Sequence, residues 1–150
     1  MILLVHMLFG AAIGSLVKNP ILAIILAFLG HYFLDLFPHV EYNIENIKNK
    51  QWKHSSYDFF KVFLDIYLGF LITFLFSKNN LIIYACAFAA MVPDGLTLLS
   101  SILPNKIMAR HDYIHTQKIH YLTNQKKFPI FWRIATQIIA AIVSIAFLKY

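Results

Sequence analysis

The chain has 150 residues, of which 59% are hydrophobic and 13% charged. One domain, residues 1–150, is the expectation at that length, and so low a charged fraction is about half that of a soluble protein, too little to cover a water-facing surface. The formal net charge is +6 and there is one cysteine; the latter excludes an internal disulfide and a thiolate metal cluster, while cations placed between apolar segments argue for membrane orientation rather than a nucleic-acid partner.

Apolar segments run over roughly 2–17, 20–37, 57–76, 81–101 and 130–148 and read as five transmembrane helices. The first lacks the basic start of a secretory signal and is interrupted by His6, so it reads as a span rather than a cleaved leader. Gly10 and Gly14 share one helix face and permit another helix to approach closely. The link Lys18-Asn19-Pro20 forces an antiparallel hairpin, and Pro20 suits a helix start.

The second helix, from Pro20 to about Phe37, carries His31, Asp35 and His39 in steps of four. Such steps keep all three on one slowly drifting stripe, where two groups can bind one ion. His31 lies about 9 Å inside Phe37 at 1.5 Å of rise per residue. An imidazole at that depth needs a partner, whereas an interfacial one does not. Pro38 ends or kinks the helix, and Ile44, Ile47 and Trp52 lay the polar segment 38–56 on the membrane surface.

The third helix opens with Asp58, Lys61 and Asp65 on one face. Asp58 suits the positive end of the helix dipole; Asp65 reads either as the ion partner of Lys61 or as a proton acceptor. In the fourth helix Cys86 reads as apolar filler, and Pro93-Asp94-Gly95 is expected to break the helix about two turns before its end. Residues 105–122 read as an amphipathic surface helix that turns Ile107, Met108, Tyr121 and either Tyr113 or Ile114 to the membrane. On it His111 and His115 repeat the four-residue spacing, flanked by Arg110 and Lys118. His54 and His120 read as ordinary interfacial or core histidines. Pro129 opens the last, almost wholly apolar helix, with Trp132 and Arg133 at the interface.

The fold class expected is therefore all-α: an integral membrane bundle of five spans plus a surface helix. All seven histidines and all seven acidic residues fall on one side of it. Links on that side carry Lys48, Lys50, Lys53, Lys106, Arg110, Lys118, Lys126 and Lys127, against Lys18, Lys78 and Lys149 opposite. The bias puts the histidine side and the N-terminus in the cytoplasm, in a cell inner (plasma) membrane. A one-sided concentration of imidazoles and carboxylates suits a divalent metal, Zn²⁺ foremost with Mn²⁺ or Fe²⁺ also accommodated. The candidate ligands are His6, His31, Asp35, His39, Asp94, His111 and His115. Arg110, Lys118 or Lys61 would meet a phosphate, and Asp65 would take a proton.

His6, Gly30-His31 with Leu34-Asp35, Pro38-His39, Pro93-Asp94 and the late pair His111 and His115 give a pattern that resembles the small inner-membrane metal-dependent hydrolases of bacteria and archaea. The resemblance spans most of the chain. It implies a short multi-span bundle that hydrolyses a membrane lipid or lipid-phosphate ester. Asp112 and Thr116 stand where that family usually has Arg and Ser after its late histidines, and His39 and Glu41 where further Asp residues are expected. A reading of another class is a non-enzymatic carrier of metal or protons, or a scaffold. A transport path should reach both faces, yet the external halves of the helices are apolar apart from Thr73, Ser144 and small residues. Oligomerisation could build a path that the single chain lacks; the single chain favours a one-sided pocket.

Overall fold

The computed structural model describes residues 1–41, 43–77, 80–103, 105–120 and 128–149. Lys78, Tyr121, Lys126 and Lys127, which enter the charge and surface-helix readings, lie outside the described residues, as does the side chain of Lys48. The described residues are helical: α1 (Leu3–Leu16), α2 (Pro20–Asp35), α3 (Glu45–Lys48), a 3₁₀ turn (Trp52–His54), α4 (Ser56–Phe76), α5 (Leu81–Ile102), α6 (Lys106–Tyr113), a π-helical turn (Ile114–Ile119) and α7 (Ile130–Leu148). Three helices, α4, α5 and α7, are long and apolar enough to cross a membrane, whereas α1 and α2 are shorter apolar helices.

Asparagines open several of these helices. Asn19 accepts the N–H of Leu22 at 3.1 Å, and Asn80 and Asn105 accept those of Ile82 and Ile107 at 3.0 Å. Each satisfies a backbone donor that the first helical turn leaves orphaned.

The short helix α1 is the hub, packing against α5, α2, α7 and α4. Its glycines explain the closest of these seams. A Cβ added at Gly10 would lie 2.5 Å from the Cys86 carbonyl oxygen and 2.6 Å from the Ala90 Cβ. The Gly10/Gly14 face therefore meets α5, where Cys86, Ala87 and Ala90 are small enough to admit it. Around this seam the molecule turns large apolar side chains outward: Ile21 is 72% exposed, Phe63 67% and Leu81 82%. Hydrocarbon, not water, is the surrounding that such a surface fits.

Three local expectations are corrected. Helix α2 stops at Asp35, with Leu36 as its cap, rather than at Phe37; Phe37 precedes Pro38 and is biased away from helical geometry. Helix α5 runs unbroken through Pro93-Asp94-Gly95. Pro93 removes one backbone donor, a loss that a bundle interior can compensate with neighbouring groups. The surface helix is α-helical only to Tyr113 and then widens into the π-turn.

Candidate metal centre

The centre is built around Asp35, in the last turn of α2 and fully buried. The Nε2 atoms of His31, His120 and His115 lie 3.0, 3.1 and 3.2 Å from its Oδ2. The other oxygen, Oδ1, has His6 Nε2 at 3.1 Å and His39 Nε2 at 3.6 Å; the Met1 amino group also reaches it, at 2.7 Å. Asp94 comes in from α5, its Oδ1 3.7 Å from His31 Nε2 and 3.9 Å from His115 Nε2. Five elements thus deliver these groups: α1, α2, the segment after it, α5 and the π-turn.

The outer side of each ring fixes what the inner side offers. His31 Nδ1 donates to the Ala90 carbonyl at 2.7 Å, and His39 Nδ1 to the Phe37 carbonyl at 2.7 Å. His120 Nδ1 lies 2.5 Å from Glu41 Oε1. Carbonyls and carboxylates only accept, so these Nδ1 atoms carry protons; each Nε2, which also faces carboxylate oxygen, then offers a lone pair unless its ring takes a second proton. His115 Nδ1 meets the Thr97 hydroxyl at 2.9 Å. Inside, His31 and His115 bring their Nε2 atoms to 3.1 Å, and His115 and His120 to 3.2 Å. Lone pairs that close, grouped about a carboxylate, repel one another unless protons or a cation lie among them. Donors that share a cation at about 2.0–2.2 Å stand about 3.3 Å apart in a tetrahedron, close to the spacing seen.

His6 strengthens the case. It is fully buried, stacks on His31 with ring centroids 3.9 Å apart, and has Asp35 Oδ1 beside Nε2 but no hydrogen-bond partner at Nδ1. Buried polar atoms of a native protein are rarely left so. Two overlapping donor sets result, each compact enough for a metal ion: His31, Asp35, Asp94 and His115, and Asp35, His39 and His120.

Beside the cluster lies a cavity of about 290 Å³. Leu3, Val62, Ile66 and Met91 form its apolar wall, and Glu41, Asp94, His115 and His120 its polar one. Among the described residues, no Lys or Arg lines it. Glu41 is the half-exposed member at the rim. Burial would raise its carboxyl, but hydrogen bonds from His120 and His39 outweigh that and hold it far below the ordinary range. Burial likewise works against a charged His120, yet Asp35 and Glu41 lift its imidazole to about 9.

Of the residues expected at the site, His6, His31, Asp35, His39, Asp94 and His115 come together. His111 stands one step out. Its Nε2 pairs with the Tyr32 hydroxyl at 2.9 Å and its ring centroid is 5.6 Å from that of His115. Burial and the His115 ring lower its basicity. Asp65 is occupied elsewhere, accepting the Leu4 N–H at 3.2 Å near the start of α1. Lys61 pairs with Asp58 at 3.4 Å and donates to the Asn43 carbonyl at 3.0 Å. Arg110 and Lys118 are exposed and do not line the cavity. His54 is exposed in its 3₁₀ turn.

No family model, curated protein or solved structure matches the chain.

Two members were not expected, His120 and Glu41. At 100° per residue, His120 lies about 140° around a helix from His115, on another face. The π-turn cancels this offset: the His120 N–H bonds to the His115 carbonyl at 3.1 Å, five residues back, and the rings converge. Such single π-turns recur at functional sites. The signal available in the sequence was the crowding of three histidines into ten residues, not their spacing. For Glu41 the signal was its place two residues after His39, where the resemblance expects a further Asp.

Proposed function

We propose that this protein is a membrane-embedded metal-dependent hydrolase acting on a lipid or lipid-phosphate ester at the cytoplasmic leaflet. The observation that carries this reading is the inward convergence of imidazole Nε2 atoms on buried Asp35, four of the five rings braced from behind, beside a cavity with an apolar wall. In the same reading all five apolar helices span the bilayer, with α6 and its π-turn on the cytoplasmic surface. The basic bias of the links supports that orientation. The resemblance of the His and Pro-Asp pattern to small inner-membrane hydrolases supports the reaction class.

His31, His115, Asp35 and Asp94 would hold a divalent cation, Zn²⁺ by donor type, with Mn²⁺ or Fe²⁺ also suited. Bound there, the cation supplies Lewis acidity for ester cleavage. The protein's own groups do the rest. The cavity wall of Leu3, Val62, Ile66 and Met91 takes the apolar part of the substrate and excludes water from it. Asp94, 27% exposed and lining the cavity, would be the ligating carboxylate that faces the substrate. Asp35 does not, being enclosed by the imidazoles it orients.

The test is elemental analysis of protein purified in detergent, paired with hydrolysis of a phospholipid in mixed micelles. Bound divalent metal in the native chain, lost in His31→Ala and kept in His54→Ala, is expected, together with turnover that chelation abolishes. Metal without turnover on any phospholipid or lipid phosphate would leave a metal carrier. Absence of metal would reduce the cluster to a proton-charged pocket.

A further inference from the structure

Asp35 belongs to both donor sets, and the sets touch: His115 Nε2 of the first is 3.2 Å from His120 Nε2 of the second. We propose that the cluster binds two divalent cations side by side, sharing the Asp35 carboxylate, the second held by His39 and His120 with Glu41 beside them. This rests on the metal-dependent reading above and deepens it.

Two observations outside the first set point to the second. The first is the brace on His120. Glu41 Oε1 sits 2.5 Å from its Nδ1 and 3.1 Å from His39 Nε2. A carboxylate behind a ligating imidazole fixes its tautomer and raises its basicity. The second is how the segment carrying His39 and Glu41 is held. That segment has no helix of its own, and α7 grips it along three successive carbonyls. Thr136 Oγ1 donates to the Pro38 carbonyl, Arg133 Nε to that of His39 at 2.7 Å, and Gln137 Nε2 to that of Val40 at 2.7 Å. Loop carbonyls inside a bundle need partners. Supplying all three from one helix also fixes the direction in which His39 and Glu41 leave the chain.

Charge supports a pair. Asp35, Asp94 and Glu41 bring three carboxylates, and no Lys or Arg among the described residues lines the cavity beside them. With the Met1 ammonium on Asp35 counted, one dication among neutral imidazoles brings that group to neutrality; two make it cationic. A two-cation centre can therefore meet an anionic ester directly, without Arg110 or Lys118, and clamp both the attacking and the leaving oxygen. Gln137, Arg133 and Thr136 are then positioning residues for the second cation.

The experiment strips the protein with chelator and titrates it in detergent with Mn²⁺, reading both stoichiometry and electron paramagnetic resonance. Two ions per chain with the spectrum of an exchange-coupled pair are expected. His120→Ala and Gln137→Leu should each bind one ion and give an isolated Mn²⁺ signal, while His54→Ala keeps the pair. One uncoupled ion in the native chain overturns the proposal but leaves the single-metal reading standing; no ion overturns both. Two ions retained in His120→Ala and Gln137→Leu also overturn it. Should either variant fail to fold, the coupled or isolated spectrum of the native chain decides alone.

Discussion

The two ends of the bundle treat polar side chains in opposite ways. At the end formed by the α1–α2 and α4–α5 links, the side-chain hydrogen bonds of the described residues go to backbone. Asn19 and Asn80 cap their own helices, and Ser15 Oγ has the Ala12 carbonyl at 2.8 Å and that of Phe147 at 3.1 Å as acceptors. Part-way along α4 and α7, Thr73 and Ser144 do the same with the carbonyls of Gly69 and Ala140, at 2.8 and 2.7 Å. At the histidine end, side chains meet one another, and they come from segments up to 85 residues apart, as His120 and Asp35 do. The first kind of polarity finishes a helix. The second would burden stability unless it bound something, since neutral apolar packing there would need no desolvation.

The strongest test of that contrast is Asp35→Asn. It keeps the shape, removes the shared charge, and faces several Nε2 lone pairs with an amide. Metal content should fall to background, and turnover should fall by well over the ~10–100-fold that losing an outer partner costs. Retained metal in folded Asp35→Asn protein would break the comparison. Acid should act in the same direction. Imidazoles must be neutral to ligate, so metal affinity should drop as pH falls. Equilibrium dialysis across pH reads this; an affinity indifferent to pH would point away from histidine ligation.

A smaller effect is expected at Thr97→Val, which removes the hydroxyl behind His115 Nδ1 at nearly constant volume. Metal affinity should weaken about 10–100-fold without loss of fold. An unchanged dissociation constant would mean that His115 is oriented by packing alone.

How much of this was legible in the sequence follows the same division. Helix starts were, because the Asn, Pro and Lys links between apolar runs are local information; the ends at Asp35 and Tyr113 were not. The grouping of His31 with Asp35 was too, since the α-helical step of four is periodic. His120 was not, because its position depends on a π-turn, and α-helical arithmetic turns it away from His115. Nor was the detachment of Asp65. Its place on the Asp58 face is right, but the start of α1 packs beside it and claims it through the Leu4 N–H. That contact joins residues 61 apart in the chain, and no periodicity reports it. The partner of the Gly10/Gly14 face is a similar case: the glycines announce a close neighbour without saying which, and the neighbour is α5.

That seam carries the next prediction. Gly10→Ala puts a methyl group against backbone, 2.5 Å from the Cys86 oxygen, whereas a methyl at Gly95 meets nothing within 4 Å. Gly10→Ala should destabilise by about 1–3 kcal/mol, the usual range for overpacking. It should also weaken metal binding, because His6 and Ala90, which accepts from His31, lie on the two helices forced apart. Gly95→Ala should leave both nearly unchanged. Thermal unfolding in detergent with and without metal distinguishes the two. Equal effects would mean that α1 is free to shift.

The smallest effect belongs to the other end. Asn19 accepts the Leu22 N–H and has no part in the cluster, so Asn19→Ala should lower stability by about 1 kcal/mol, the usual value of such a cap. Asn80→Ala should do the same at the start of α5. Both should keep the native metal stoichiometry and affinity, because each cap satisfies one local donor and nothing beyond it. The informative failure is a cap variant that also loses metal. It would mean that the entry of α2 or α5 sets the depth of His31 or Asp94 along the helix axis, so that the two ends of the bundle are mechanically coupled. In that event the division between helix-finishing and site-building polarity would hold for chemistry but not for mechanics. Measuring metal affinity for both cap variants against Ser144→Ala, whose hydroxyl donates to the Ala140 carbonyl of its own helix, separates these outcomes.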